Sequence, residues 1–319
     1  MVRLPSPNRP FVPSVEVRRL TADGIPALAR EVDRARAAGE FRASSDPAAE
    51  FFVKSAAVDP GLVAGAFEGD ELVGFVSAEF KVIVVRPDRR RRGIGRALVK
   101  IALDSERARG RPQAILGVLP GDASTTAFLR ATGFAFHSTL WDLDLPRDSA
   151  VAEPVWPDGH AARPFDRRRD VGPWVRLFNA AFADHATPLQ LDESFIVAGL
   201  DDPAIEDADT GLLEETVSGD LVGFSATAPV RHGGVVAERG EIWTIGVRPD
   251  RQGAGLGRQL LRWGVRRLRA IGVRDVTLAV NGRNERALGL YETEGFVRSR
   301  TRERWARPVE REAPAVERG

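Results

Sequence analysis

A glycine-dense segment in the C-terminal part of the chain has the composition of a phosphate-binding turn. It follows the apolar stretch Ile242–Val247 and consists of Gln252, Gly253, Ala254, Gly255, Leu256, Gly257 and Arg258. The residues after it have apolar side chains at helical spacing, so the segment connects a strand to a helix. Backbone N–H groups at such a turn point together at the positive end of the helix, where they bind phosphate. The segment therefore predicts a ligand with phosphate groups.

The same pattern occurs once earlier in the chain. The earlier copy follows Val82–Val85 and consists of Arg90, Arg91, Arg92, Gly93, Ile94, Gly95 and Arg96. Its glycines lie 162 residues before Gly255 and Gly257. The pentapeptides Val85–Arg89 and Val247–Arg251 are identical at the same spacing. We interpret the chain as two copies of one phosphate-ligand domain.

Between two of its strands the second copy is longer than the first. Leu72–Phe75 recurs as Leu221–Phe224, 149 residues later rather than 162, which indicates 13 extra residues around 226–238. A length of 319 residues also fits two domains. Each half reads as antiparallel strands followed by strand, turn, helix, strand, helix and closing strand, which predicts a mixed α/β (α+β) sheet. We expect a flexible tail at 1–14, domains at 15–146 and 160–309, a linker at 147–159 and a second tail at 310–319.

Composition excludes several classes of protein. The chain has no cysteine, so disulfides, thiolate metal sites and a cysteine nucleophile are ruled out. Its net charge of +1 favours no nucleic-acid partner. The arginine run Arg89–Arg92 is either a solvated turn or a set of contacts to the phosphates of the ligand. Residues Met1–Val12 lack the apolar stretch of a signal peptide, and no apolar run has the length of a membrane span. We therefore expect a cytoplasmic protein with no membrane partner and no metal.

Two common phosphate-binding motifs do not fit. A dinucleotide fold needs a third glycine where Arg258 stands, and a nucleotide-triphosphate loop needs a Gly-Lys pair that the chain lacks. Instead, Gln252-x-x-Gly255-x-Gly257 followed by Asn284, Tyr291 and Gly295-Phe296 resembles the GNAT superfamily of acyl-CoA-dependent N-acyltransferases. The resemblance covers each half once and implies tandem GNAT domains, with a particular similarity to the mycothiol synthases. It also implies acetyl-CoA as co-substrate and a small-molecule amine as acceptor.

The resemblance assigns residues to acetyl-CoA binding. Backbone amides of Gln252–Arg258 are expected to hold the pyrophosphate. The strand edge at Ile245, Gly246 and Val247 is expected to pair with the pantetheine arm, with the N–H of Val247 polarising the thioester carbonyl. Asn284 either hydrogen-bonds the pantetheine or caps its own helix. In the first half the matching candidates are Ile83, Val84, Val85, Arg91, Arg92, Gly93, Ile94, Gly95 and Arg96.

The resemblance also assigns the proton-transfer groups. Tyr291, the only tyrosine in the chain, is expected to protonate the departing thiolate, unless it is only a core residue. Glu241 has the position of a general base, and the alternatives are an electrostatic anchor for the amine or a plain strand-edge charge. His185 is a further candidate base, although a histidine after a helix is more often structural.

The two copies differ where the chemistry would occur. Leu129 replaces Tyr291 and Asp122 replaces Asn284 in the first half, while Glu79 retains the carboxylate of Glu241. We therefore predict catalysis in the second half alone, in a monomer with pseudo-twofold tandem domains. The first half either binds acyl-CoA or only supports the second.

The acceptor stays open. The acidic residue and the lysine that the mycothiol synthases lead one to expect are absent from 185–188 and 226–228, so another small amine, an amino sugar or an antibiotic fits as well. The alternatives to a small-molecule N-acetyltransferase are a non-catalytic acyl-CoA-binding protein and a protein or peptide acetyltransferase.

Overall fold

The computed structural model describes residues 15–41, 52–57, 59–118, 121–183, 191–200, 205–232 and 234–309. The strands are β1 (Val15–Arg19), β2 (Ala64–Glu68), β3 (Glu71–Ser77), β4 (Val82–Val85), β5 (Gln113–Val118), β6 (Ala135–Leu145), β7 (His160–Pro164), β8 (Thr210–Glu215), β9 (Leu221–His232), β10 (Val235–Val247), β11 (Asp275–Asn281) and β12 (Val297–Pro308). The helices are α1 (Ile25–Ala37), α2 (52–57), α3 (Ile94–Ala108), α4 (Ala123–Ala131), α5 (Val171–Ala181), α6 (Glu193–Leu200), α7 (Leu256–Ala270) and α8 (Glu285–Thr293). The predicted tails 1–14 and 310–319 and the candidate base His185 lie outside the described residues.

The strands form two sheets. Strands β1 to β4 pair antiparallel in their order along the chain. The other eight strands form one sheet in the order β5-β12-β6-β11-β10-β9-β8-β7. Within it only β10 and β11 pair parallel. The predicted mixed α/β fold is therefore confirmed.

The closing strands of the two halves are exchanged. Strand β6 of the first half pairs with β11 of the second, and β12 of the second half pairs with β5 of the first. Side-chain packing follows the exchange. Trp305 of β12 is buried in the core around α3, whereas Leu143 and Leu145 of β6 are buried in the core around α7. Each half ends in a strand, as predicted, but the sequence did not specify which strand it would pair with. An alternating pattern specifies which face of a strand is buried but does not specify its neighbour.

The exchange follows a local twofold axis. Strands β6 and β12 pair antiparallel, and Leu140 faces Arg302, which is its own counterpart 162 residues later. Pairs on one side of this position therefore have repeat-equivalent pairs on the other side. The axis relates the phosphate turn of one half to the phosphate turn of the other.

Each phosphate turn is fixed by the helix that follows it. Helix α7 buries Leu260, Leu261, Val265 and Leu268 at a spacing of three or four residues, which places them on one face against the sheet. Helix α3 buries its apolar face in the same way in the first half. This packing holds the N-terminus of each helix at the end of the preceding strand.

The insertion at 226–238 lengthens the β9–β10 hairpin. Strand β9 continues to His232 and β10 begins at Val235, whereas the equivalent strands of the first half end at Ser77 and begin at Val82. Near the tip, the buried Arg231 forms an ion pair with the buried Asp209, with a distance of 2.6 Å between Nη1 and Oδ2. The described residues of the insertion therefore extend the hairpin at the end of β10 that lies opposite to the second phosphate turn.

Candidate active site

The two phosphate turns have the same backbone conformation. In the second half Gly253 and Gly255 have φ values of 94° and 80°, and α7 begins directly after Gly255. In the first half Arg91 and Gly93 have φ values of 65° and 84° at the equivalent positions. A left-handed conformation suits glycine and is strained for arginine. The conserved geometry at Arg91 indicates that the surrounding turn imposes it.

Side chains brace both turns at the strand end. Gln252 Nε2 donates to the carbonyl oxygen of Val247 at 3.1 Å, and Arg90 Nε donates to that of Val85 at 2.9 Å. These are equivalent positions, so a glutamine and an arginine perform the same structural role. The N–H groups at the start of α7 receive no side-chain cap from Gly255. The N–H of Arg258 donates to the carbonyl oxygen of Gly255 at 3.0 Å, whereas those of Leu256 and Gly257 have no acceptor within the described residues and are available to a phosphate.

The arginines near the turns divide into paired and unpaired groups. Arg89 and Arg92 both form ion pairs with Glu68, with distances of 2.8 and 2.9 Å. Arg258 forms an ion pair with Glu294 at 2.7 Å, so its side chain is held along α8. Arg91 is exposed, and within the described residues no carboxylate pairs with it. The run at Arg89–Arg92 is therefore partly a structural ion-pair cluster rather than a free cationic surface.

The strands that flank the second turn and α7, β10 before them and β11 after them, separate where the pantetheine arm is expected. Strands β10 and β11 pair from Arg239 to Ile242 on the β10 side, and no described strand pairs with that edge of β10 beyond Ile242. The register against β9 shifts between Ile242 and Thr244, so Trp243 forms a bulge at the point of separation. The bulge was not predicted. We call the space between the two strands beyond Ile242 the second opening.

Side chains of neighbouring elements pack closely against one face of the strand segment with the free edge, Ile245–Val247. A Cβ atom on Gly246 would lie 2.3 Å from Cε1 of Phe224 and 3.1 Å from Cβ of Ala181. Glycine is therefore required there by packing. The other edge of this strand segment pairs with β9, which leaves its second edge accessible to an extended ligand.

The first half has an equivalent opening between two strands, which a single backbone hydrogen bond joins. Strands β4 and β5, which include Ile83, Val84 and Val85, form no ladder with each other. One backbone hydrogen bond joins their flanks, from the N–H of Gly117 to the carbonyl oxygen of Lys81 at 2.7 Å. We call the space between these strands the first opening.

Tyr291 lies on α8 and faces the core of the second half. Its ring is partly buried and packs 6.2 Å from the ring of Phe296, centroid to centroid. Desolvation raises the pKa of Tyr291 to about 12, and no described residue hydrogen-bonds its hydroxyl. The phenol is therefore fully protonated at neutral pH and its hydrogen is free for a ligand. Its counterpart Leu129 is fully buried in the first half.

Glu241 is a buried carboxylate on β10, one residue before the end of the parallel ladder. It pairs with Thr277 of β11 and Ala228 of β9, and its side chain is 7% exposed. Its counterpart Glu79 is more exposed and forms an ion pair with Arg111 at 2.7 Å. The equivalent carboxylates therefore have different surroundings.

Asn284 acts as the N-cap of α8. Its Oδ1 accepts a hydrogen bond from the N–H of Ala287 at 3.1 Å. Asp122 caps α4 in the same way through the N–H of Thr125 at 2.9 Å. The structure thus shows the capping role for both residues, and a pantetheine contact of Asn284 stays a prediction.

The described residues contain neither a metal-binding cluster nor a membrane-spanning helix. Within the described residues no group of three His, Cys, Asp or Glu side chains could hold a metal ion. Among the described helices none combines the length and hydrophobicity needed to cross a membrane.

Comparison with known proteins identifies the family. The model of the acetyltransferase (GNAT) family matches residues 30–134 and 174–296, and the chain belongs to this family. It is an acetyltransferase of the GNAT type with two GNAT regions, as the motifs predicted. Acetyltransferases with this fold use acetyl-CoA.

Several relatives share a name. The mycothiol acetyltransferase of Thermomonospora curvata is 37% identical over 243 residues, covering 76% of this chain and 77% of that protein. The mycothiol acetyltransferase of Geodermatophilus obscurus is 33% identical over 318 residues, covering 92% and 97%. A tandem GNAT protein from the clavulanic acid biosynthesis pathway has a TM-score of 0.63 at 19% identity, covering 94% of this chain and all (100%) of that chain. The predicted similarity to the mycothiol enzymes is confirmed, and the solved structure supports the fold.

Proposed function

We propose that the chain transfers an acetyl group from acetyl-CoA to a primary amine of a small molecule, and that the second half is the catalytic one. The observation that carries this proposal is a difference between repeat-equivalent positions. Both halves have the phosphate turn, but only the second combines Tyr291 with a buried Glu241. In the first half Leu129 has no hydroxyl, and Glu79 is held by Arg111.

The residues of the second half fit acetyl-CoA. The turn at Gln252–Arg258 offers uncapped N–H groups to a pyrophosphate, and no side chain or backbone atom lies within 4 Å of a Cβ built on Gly255. The free edge at Ile245–Val247 offers backbone hydrogen bonds to the amides of a pantetheine arm. The thioester would then lie in the second opening, between the elements that bear Glu241 and Tyr291. The equivalent turn at Arg90–Arg96 makes the first half a second acyl-CoA site.

Glu241 and Tyr291 would divide the proton transfers. The carboxylate removes a proton from the incoming amine, directly or through a water, as the amine nitrogen attacks the thioester carbonyl. The N–H of Val247 polarises that carbonyl. When the carbon–sulfur bond breaks, the hydroxyl of Tyr291 donates its hydrogen to the sulfur. Thiol and acetylated amine leave without a covalent enzyme intermediate, as expected in a chain with no cysteine.

The acceptor is proposed only by class. Relatives named mycothiol acetyltransferase make a cysteinyl amino sugar the first amine to test. Other amino sugars and aminoglycoside-like compounds follow, because the predicted acidic contact at 185–188 is absent from the sequence. Transfer to a peptide but to none of these amines would favour protein acetylation instead.

A matched pair of variants tests the assignment. Glu241→Gln should lower kcat/KM by about 10²–10⁴-fold, the usual contribution of general acid–base catalysis. Glu79→Gln changes the equivalent residue of the first half and should leave turnover unchanged. With acceptors that have no thiol, release of free CoA can be followed with a thiol reagent, because the protein contributes no thiol; with a cysteinyl amino sugar, the acetylated product is followed by mass spectrometry. Equal losses in both variants, or acetyl-CoA binding without transfer to any amine, would contradict the proposal.

A further inference from the structure

The two openings differ in charge at equivalent positions. Three repeat-equivalent residues border each opening: Lys81, Gly117 and Arg304 at the first, and Trp243, Ala279 and Asp142 at the second. In each set the third residue comes from the other half, on an exchanged strand. The first opening therefore has two cationic residues where the second has an indole and a carboxylate.

Gly117 brings the two cationic residues of the first opening together. Its N–H donates to the carbonyl oxygen of Lys81 at 2.7 Å, and Arg304 lies directly opposite it in the β5–β12 ladder. A Cβ on Gly117 would lie 3.0 Å from the Lys81 carbonyl and 3.6 Å from Nη1 of Arg304. Lys81 has a φ of 58°, a strained conformation for a lysine. Such strain persists only where the surroundings impose it, and it concentrates at functional sites.

Within the described residues no carboxylate forms an ion pair with Lys81. Its Nζ donates to the backbone carbonyl of Glu79 at 2.9 Å, which is a neutral acceptor. The carboxylate of Glu79 is bound by Arg111 at 2.7 Å. Desolvation, together with the nearby charges of Arg304 and Arg111, lowers the pKa of Lys81 to about 8, although the charges of Glu79 and Glu106 act in the opposite direction.

Arg304 is equally without a counterion. Within the described residues it forms no hydrogen bond and no ion pair. Asp142, whose charge raises the pKa of Arg304, is itself ion-paired with Arg302. Desolvation lowers the pKa of Arg304 to about 9, and the charge of Arg302 contributes in the same direction. Two desolvated cations without an acid between them are unfavourable unless an anion joins them.

We propose that the first opening binds a carboxylate group, with Lys81 and Arg304 as its two cationic contacts. The planar guanidinium of Arg304 suits two parallel hydrogen bonds to a carboxylate, and the ammonium of Lys81 adds a point charge. The carboxylate belongs either to a free small acid or to an acyl chain whose CoA occupies the turn at Arg90–Arg96. At the second opening the equivalent residues are Trp243 and Asp142, neither of which is cationic, so the two openings select different ligands.

The sequence makes a direct measurement possible, because the chain has only three lysines, at 54, 81 and 100. NMR titration of protein labelled with ¹³C-lysine follows each pKa separately. Succinate, succinyl-CoA and acetyl-CoA are the probes. A bound carboxylate should raise the pKa of Lys81 by about one unit or more, equivalent to at least tenfold tighter anion binding by the protonated lysine. The signals of Lys54 and Lys100 should not move.

Variants on β12 test the second contact. Arg304→Gln should abolish the shift at Lys81, and Arg304→Lys should restore part of it. Arg298→Gln, on the same strand but paired with Glu292, serves as the control and should leave the shift intact. The readout requires no turnover, so its outcome is separate from that of the proposed catalysis.

The probes also separate the two sources of the carboxylate. A shift with succinate supports a site for small acids, and a shift with succinyl-CoA alone supports an acyl chain that ends in a carboxylate. No shift at Lys81 with any probe would overturn the proposal. So would a shift with acetyl-CoA as large as that with succinyl-CoA, or one that Arg304→Gln leaves unchanged.

Discussion

Tyr291 permits an unusually direct test of the second opening, because it is the only tyrosine in the chain. Ultraviolet absorbance of tyrosinate therefore reports one residue. We expect the folded protein to titrate near pH 12 and the denatured protein near pH 10. The difference corresponds to about 3 kcal/mol in favour of the neutral phenol in the folded state, at about 1.4 kcal/mol per pKa unit.

The sign of the stability effect follows from these two values. The phenol binds its proton more tightly in the folded protein, so its contribution to stability is complete below pH 10. That contribution falls between pH 10 and 12 and is lost above pH 12. A rapid pH jump gives the absorbance before unfolding begins. Tyr291→Phe should remove both the absorbance change and this part of the pH dependence.

The same pKa limits how the residue can act in catalysis. The phenolate of a tyrosine with a pKa of about 12 is a stronger base than a thiolate, whose thiol has a pKa of about 8.5. The phenolate that forms when Tyr291 protonates the sulfur is therefore short-lived and does not accumulate. Tyr291→Phe should lower kcat by about 10²–10⁴-fold with the Kd of acetyl-CoA unchanged. A folded-state titration near pH 10, or a variant with normal kcat, would refute this reasoning.

Three other perturbations give distinct expectations. Gly257→Ala should raise the free energy of unfolding by about 1 kcal/mol, since the new Cβ meets no atom closer than 3.8 Å. The same variant should weaken acetyl-CoA binding by tenfold or more, about 1.4 kcal/mol. An unchanged affinity by calorimetry would exclude a close contact between the ligand and the backbone at this position. Asn284→Ala and Asp122→Ala should each lower the free energy of unfolding by about 1 kcal/mol, because each removes a helix cap. If Asn284 contacts pantetheine, Asn284→Ala alone should also weaken acetyl-CoA binding. Trp305→Ala should cost about 3–5 kcal/mol and reduce hydrogen-exchange protection first in α3; a loss confined to the second half would contradict the exchange.

Local features of the fold were readable from the sequence because they depend on neighbouring residues. The left-handed positions at Gly253 and Gly255 follow from glycine's freedom at positive φ, and α7 follows from its apolar spacing. Helix α6 was missed, because Glu193–Leu200 carries apolar residues without a polar face. The bulge at Trp243 was also missed, since nothing in the residues around it marks a shift of register.

Pairing between distant strands could not be read in the same way. Leu143 and Trp305 alternate with polar residues as expected for closing strands, but that pattern is the same whichever strand lies beside them. The same limit applies to residues that meet at a site only because distant strands pair. Tyr291 and Glu241 were identifiable by family resemblance, whereas Arg304 becomes a neighbour of Lys81 only through the exchange.

The exchanged strands also determine how the two copies can diverge. In a dimer of two identical halves with this exchange, both openings would carry the same side chains. Fusion into one gene made each position independent, and arginine now stands where the other copy has aspartate. Replacing residues 297–309 with those of a homologue would consequently alter the ligand preference of the first half, although no residue of the first half itself changes.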